Sequence, residues 1–242
     1  MLVRPTASFE VFMLRRSGAS HFAPYAYVFP GGTLSESDLS ERALARMRVD
    51  AKEMKQFQVQ PAPGVPFVPL ASAREAAGLL FAAVRELYEE AGVLLACDSG
   101  GAPAPSDAGE ARPDFLELLE SRDLYADARK LTLFSQWLTP PQFPQRYNTH
   151  FFLARASADA AAAADAHETH DGLWIAPADA LARNAAGELH LVYPTVKHLQ
   201  RLARFTTADE LFEFARTKPI LAVTPNTVGD GFALPAELEE AW

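Results

Sequence analysis

Arg85-Glu86-Leu87-Tyr88-Glu89-Glu90-Ala91-Gly92-Val93 is the stretch on which the reading of this chain turns. It ends a segment that opens with Ser72-Ala73-Arg74-Glu75, where Ser at the cap and Glu three residues later form a capping-box signature. Helical character runs on to Ala91, and Gly92 stops it where a left-handed backbone suits glycine. At about 100° per residue, with Glu86 at zero, Ala77, Leu80, Val84, Leu87 and Ala91 fall at roughly 100–180° and form the stripe to be buried. Glu86, Glu89 and Glu90 fall between about −60° and +40°, on the opposite face. Their like-charge pairs at three and four residues each cost a few tenths of a kcal/mol in an isolated helix. A hard divalent cation offsets that repulsion, because Mg²⁺ and Mn²⁺ take carboxylate oxygens and share coordination with substrate phosphates. An acidic helix face is most often merely solvated. Here Arg85 stands ready to orient a carboxylate, and Gly92 ends the helix just beyond the cluster.

Upstream, Phe9–Leu14 reads as a strand, followed by the basic turn Arg15-Arg16-Ser17-Gly18. A second apolar run, Tyr25 to Phe29, breaks at Pro30-Gly31-Gly32. Residues 36–57 alternate charged and apolar residues at helical spacing, and Pro61, Pro63, Pro66 and Pro69 make an extended connector. Met1-Leu2-Val3 is the one apolar run before Phe9.

Downstream, Val93–Ala96 reads as a strand and 98–113 as a mobile loop. Strands are expected over Leu131–Leu138, Thr149–Ala154 and Leu173–Ile175, with Pro177 opening a helical turn. The Ala/Asp stretch 156–166 reads as a short helix or a loop. Two helices follow, near 195–205 and 208–217, the second with a Thr207-x-x-Glu210 capping box. Residues 218–242 read as a mostly irregular tail. Strands and helices mix without the alternation of a doubly wound sheet, which predicts an α/β/α sandwich with a mixed sheet and helices on both faces. The expected organisation is one domain over 1–242, with a helical insertion at about 36–71 and a C-terminal helical extension at about 195–242.

The residues just quoted resemble the Nudix hydrolase family. The usual Nudix box is Gly, five residues, Glu, seven residues, then Arg-Glu-U-X-Glu-Glu-X-Gly-U, with U aliphatic. Residues 85–93 fit every fixed position of its second half, and Phe29-Pro30-Gly31-Gly32 looks like its opening. The resemblance implies that Glu86, Glu89 and Glu90 hold Mg²⁺ or Mn²⁺, and that Gly31 and Gly32 bring backbone close to metal and phosphate. Roughly forty extra residues separate the two halves of the box, so its first Glu has two candidates: Asp38 at the right distance from Gly32, and Glu75 nearest on the helix side. The long insertion resembles one branch, the peroxisomal coenzyme A diphosphatases of mammals and their bacterial relatives. Arg15-Arg16-Ser17, Trp137-Leu138-Thr139-Pro140-Pro141 with Phe143-Pro144, Arg146 to Phe152, and His167-Glu168 with Trp174 and Pro177 support it. The branch signature carries Arg and Gly where this chain has His21 and Tyr25.

The implied chemistry is hydrolysis of a diphosphate in a nucleoside diphosphate derivative, with coenzyme A or acyl-coenzyme A first. ADP-ribose, a dinucleotide or a nucleotide sugar is the alternative. A ligand-sensing regulator without catalysis would be expected to have lost metal ligands, and all three Glu are present. Glu86 or Glu168 takes the proton of the attacking water, Arg85 orients carboxylates, and Arg16 or Arg146 offsets phosphate charge through its forked donors. His170 and Asp171 read as loop residues, and Trp137 and Trp174 as core. Composition narrows the partners. A net charge of −9 on 242 residues argues against nucleic acid. No apolar run is long enough for a signal peptide or a membrane span, so a cytoplasmic location is expected. Cys97 is the only cysteine, which excludes an internal disulfide and reads as a small buried hydrophobe. A homodimer is left open.

Overall fold

Strand β2 (Phe9–Arg16) divides the molecule into two layers, because successive side chains of a strand point to opposite faces. Phe12 and Leu14 pack in one apolar cluster with Leu80, Val84 and Leu87 of the acidic helix. Phe9, Val11 and Met13 pack in a second cluster with Leu199, Leu202, Leu211 and Phe212. Both faces are thus covered by helices, as expected. The computed structural model describes residues 1–19, 23–57, 60–61, 72–105, 112–157, 169–229 and 231–242.

The first strand, β1 (Leu2–Pro5), is four residues long against eight in β2, and it lies inside the sheet. It pairs antiparallel with β2 and parallel with β9 (Asn148–Arg155), and the Met1 ammonium donates to Phe152 O at 2.6 Å. The apolar run at 25–29 yields only β3 (Tyr27–Val28), which pairs with the end of β2. Among the described residues the main sheet has eight strands. Its path runs from β10 (Thr169–Ile175) through β2, β1 and β9 to β8 (Leu131–Leu138), with β3 alongside β2. Two short parallel strands complete it, β11 (Leu221–Val223) and then β5 (Gln60–Pro61).

The stretch 36–57 is not one helix. A 3₁₀ turn (Ser37–Leu39) leads into α1 (Glu41–Ala45), then β4 (Met47–Arg48), then α2 (Ala51–Lys55). The interruption has a tertiary cause: β4 pairs with β7 (Tyr125–Asp127), which also pairs with β6 (Ala96–Cys97) to make a small second sheet. The strand expected at 93–96 is therefore displaced to Ala96–Cys97. Helix α4 (Phe115–Ser121), absent from the sequence reading, packs Phe115 edge-on against Phe81 of the acidic helix. Pro61 lies in β5, while the rest of the proline connector and most of the Ala/Asp stretch lie outside the described residues.

On the other face, α5 (Pro177–Ala185) starts with Pro at its first turn, followed by α6 (Tyr193–Leu202) and α7 (Ala208–Thr217). The Thr207–Glu210 capping box forms as predicted: Thr207 Oγ1 accepts from Glu210 N at 3.2 Å, and Glu210 accepts from Thr207 N at 3.2 Å. The C-terminal segment corrects the expectation of an irregular tail. It supplies β11, then the hairpin β12 (Asn226–Val228) and β13 (Gly231–Ala233), and ends with Trp242 fully buried. The Trp242 ring meets Trp137 and His198 edge-on, at 5.1 and 5.0 Å between centroids. Trp137 is core, as expected, while Trp174 is half-buried against Phe12 under the Arg4 guanidinium. No helix among the described residues is long and apolar enough to cross a membrane.

Candidate active site

Helix α3 (Ala73–Ala91) forms where its sequence predicts. Ser72 Oγ accepts from Glu75 N at 3.1 Å, and Gly92 closes the helix at φ 68°. Its buried stripe is Leu80, Val84, Leu87 and Ala91 as expected, widened by Phe81 and Tyr88, with Ala77 only half-buried. Driving that stripe into the core leaves Arg85, Glu86, Glu89 and Glu90 half-buried along the rim of the helix.

Arg85 organises this rim. Its Nε and Nη2 donate to Asp38 Oδ1 and Oδ2 at 2.7 and 2.9 Å, a forked pair with a carboxylate that is 0% exposed. Its Nη1 donates to Glu86 Oε1 at 2.8 Å and to Glu89 Oε2 at 2.7 Å, and Nη2 also reaches Thr33 O at 3.2 Å. Asp38 is fixed in turn by Ser35, whose amide and hydroxyl both donate to Oδ2 at 2.8 Å. Burial alone would raise the Asp38 pKa, but Arg85 and Ser35 outweigh it and hold it below the usual carboxylate range. Glu86 goes the other way: burial raises its pKa against the opposing pull of Arg85. Burial disfavours the Arg85 cation, yet its carboxylate partners raise its pKa further. Of the two upstream candidates the structure brings Asp38 to the site. Glu75 sits ten residues before Arg85 on the same helix, about 15 Å away along its axis.

The glycine loop closes over the same end of α3. Gly31 N donates to Glu90 Oε2 at 2.6 Å. At Gly32 the reason for glycine is direct, since a Cβ there would stand 2.5 Å from Glu86 Oε1. Loop and carboxylates are therefore in direct contact. Among the described residues, no three His, Cys, Asp or Glu side chains are already grouped to hold an ion. Glu86 and Glu89 face Arg85, and Glu90 faces the loop amide. The donor set nonetheless fits Mg²⁺ or Mn²⁺: three hard oxygen donors on one helix face, against a backbone cradle with no side chain in it.

The remaining expected residues are less concentrated. Arg16 ends β2 on the α3 side, two residues after Leu14, and its buried Nε has no hydrogen-bond partner among the described residues. Arg146 is exposed, and its Nε donates to Thr139 O at 3.2 Å, tying the loop between β8 and β9. Glu168 and His21 lie outside the described residues, and His170 and Asp171 are placed only by their backbone, in β10 rather than in a loop. Tyr25 adopts φ 63°, a left-handed conformation costly for a bulky residue, with the Arg15 guanidinium 5.3 Å from its exposed ring. A glycine at that position would meet no such strain. Sequence reasoning did not identify Ser35 and Thr33 as supports; the spacing Ser35-x-x-Asp38 was the available signal.

The chain is similar to known proteins over most of its length. The family model for the NUDT19 Nudix domain matches residues 2–202. The acyl-coenzyme A diphosphatase NUDT19 of Gallus gallus is 30% identical over 266 residues, covering 93% of this chain and 70% of the chicken protein. The Homo sapiens protein of the same name is 29% identical over 243 residues, with 87% of this chain and 64% of the human protein covered. The chain thus spans about two thirds of the length of these relatives. The crystal structure of a NUDIX hydrolase from Alicyclobacillus acidocaldarius superposes with a TM-score of 0.65 at 26% identity, over 91% of this chain and 95% of that one.

Proposed function

The chain belongs to the Nudix hydrolases, in the family of the NUDT19 Nudix domain, and from that premise we propose that it cleaves coenzyme A or acyl-coenzyme A to 3′,5′-ADP and a 4′-phosphopantetheine product. One observation carries the chemistry. Arg85 gathers Asp38, Glu86 and Glu89 within hydrogen-bond reach while Gly31 holds Glu90, so four carboxylates meet one loop over one end of α3. The substrate reading is supported by the relatives named acyl-coenzyme A diphosphatase and by the resemblance of the long insertion between Gly32 and Arg85 to that branch.

Glu86, Glu89 and Glu90 would hold Mg²⁺ or Mn²⁺, which when bound neutralises diphosphate charge and lowers the pKa of water. Arg85 fixes the orientation of two of these side chains, and Asp38 fixes Arg85. Water adds to one phosphorus, the bridging P–O bond breaks, and Glu86 or Glu168 accepts the water's proton. Arg16, whose Nε has no partner among the described residues, offsets charge on the departing phosphate, a part for which Arg146 is the alternative. Small Gly31 and Gly32 let the phosphate approach backbone amides.

A second reading draws on Tyr25. A strained, bulky residue stands where the coenzyme A signature has Gly, which favours a different nucleotide partner such as ADP-ribose, a dinucleotide or a nucleotide sugar. Mass spectrometry of products from coenzyme A with Mg²⁺ or Mn²⁺ tests the first reading. Equimolar 3′,5′-ADP and 4′-phosphopantetheine are expected, and intact coenzyme A beside cleaved ADP-ribose would transfer the assignment to the second.

A further inference from the structure

The sheet face that carries α3 holds a second group of polar atoms that the fold leaves unsatisfied. Gln136 of β8 is 0% exposed and stands directly opposite His150 of β9. Gln136 Nε2 donates to Asn148 Oδ1 at 2.7 Å. Gln136 Oε1 and both ring nitrogens of His150 are shielded from solvent and have no hydrogen-bond partner among the described residues. Such atoms are rare in folded proteins and each one lowers stability, so a concentration on two facing residues asks for a compensating role.

Their position supplies one. His150 lies two residues before Phe152, and the Phe57 ring touches both at 5.9 and 6.0 Å between centroids, on the α3 side of the sheet. The register Val3↔Val11 and Leu2↔Ala154 sets His150 level with Arg16, two strand spacings away, or roughly 10 Å. Between them β3 runs out into the Gly31–Gly32 loop. The unpartnered Nε of Arg16 thus shares its face and its end of the sheet with Gln136 and His150. A cationic donor followed at nucleotide distance by neutral donors and acceptors matches a phosphate followed by a base. The bond to Asn148 leaves Gln136 presenting an acceptor, which suits an exocyclic amino group. Burial keeps His150 neutral, its pKa pushed down to about 4, so its ring offers one donor and one acceptor to a base edge.

We propose that Gln136 and His150 form the recognition site for the adenine base of the substrate nucleotide. This rests on the reading of the substrate as a nucleoside diphosphate derivative, but not on its being coenzyme A. The test is calorimetric titration of metal-free protein with AMP, with IMP (a 6-oxo group in place of the 6-amino group) and with 4′-phosphopantetheine, for wild type, Gln136→Leu and His150→Phe. Wild type is expected to bind AMP about tenfold tighter than IMP, the effect of one well-placed neutral hydrogen bond. Both variants should lose that preference and melt no lower than wild type, because each removes unsatisfied buried atoms. Equal AMP and IMP affinity in wild type overturns the proposal without recourse to any variant. So does a selective loss of 4′-phosphopantetheine affinity, which would assign the pair to the pantetheine arm. Lower melting with AMP preference intact would make the pair structural and overturn it as well. Absent turnover of coenzyme A beside a retained AMP preference would sink the substrate reading and leave this one standing.

Discussion

Arg85→Met removes the cation on which the site is hung while keeping most of the side-chain volume. The largest consequence falls on Asp38, which is fully buried and takes two of the five Arg85 hydrogen bonds. Removing one partner of a buried, hydrogen-bonded ion pair strands the other charge and costs about 3–5 kcal/mol. Glu89 adds little, because it is partly solvated and water screens what Arg85 relinquishes. The expected loss for Arg85→Met is therefore about 3–5 kcal/mol, a large share of the roughly 5–15 kcal/mol that holds an ordinary domain folded. Asp38→Asn alone leaves Arg85 with Glu86 and Glu89 and should cost less, about 1–3 kcal/mol. The double variant has no stranded charge, so its loss should fall well short of the sum of the two, by about 2 kcal/mol. Urea unfolding of metal-free protein measures all three. An Arg85→Met loss under about 1 kcal/mol, or strict additivity, would refute the argument that Asp38 and Arg85 act as one unit.

Glu89→Gln and Glu90→Gln should each lower kcat by about a hundredfold or more while leaving the metal-free protein as stable or slightly more so, because like-charge repulsion is relieved; near-normal turnover in both would remove them from the metal site. Gly32→Ala puts a methyl 2.5 Å from Glu86 Oε1 and should swing that carboxylate off Arg85. A shift of that kind is expected to lower kcat by about a hundredfold with a stability change under about 1 kcal/mol, and full activity would show that Glu86 has freedom the packing denies it. His198 is fully buried, donates from Nδ1 to Pro194 O and accepts from Ser135 Oγ at 2.7 Å each, and burial pushes its pKa down from 6.5 to about 3. Its folded pKa is below the unfolded value, so the unfolded chain binds the extra proton and stability is lost as pH falls below 6.5. Between pH 7 and pH 5 its share is about 2 kcal/mol, so His198→Gln should lose that much less than wild type over the same interval; equal losses in denaturant unfolding would contradict the assignment.

What the sequence made legible were the features whose signals are local. Helix α3 carried its cap at Ser72, its stop at Gly92 and an unbroken apolar stripe, and all three formed. The Thr207–Glu210 box and the proline start of α5 were equally self-contained. Residues 36–57 misled because alternating charged and apolar residues suit a helix, while pairing of Met47 and Arg48 with residues 126 and 127 overrides that preference. Leu221–Val223 carries too few residues for a periodic signal and becomes a strand only by docking beside β8. In the site, the three Glu and Arg85 were legible from spacing on one helix. Asp38 stood open against Glu75 because its partner lies 47 residues ahead, and contacts of that range leave no periodic trace. Gln136 and His150 look like ordinary strand residues until the absence of partners around them is seen.

The central claim is best tested by comparing kcat/KM for coenzyme A and acyl-coenzyme A with that for ADP-ribose, NADH and diadenosine polyphosphates, on purified protein with Mg²⁺ or Mn²⁺. Coenzyme A or its esters should lead the panel, and turnover should vanish with chelator and return with metal. An ADP-ribose, NADH or dinucleotide value at least about tenfold higher, a difference of about 1.4 kcal/mol in transition-state binding, would contradict the assignment to coenzyme A.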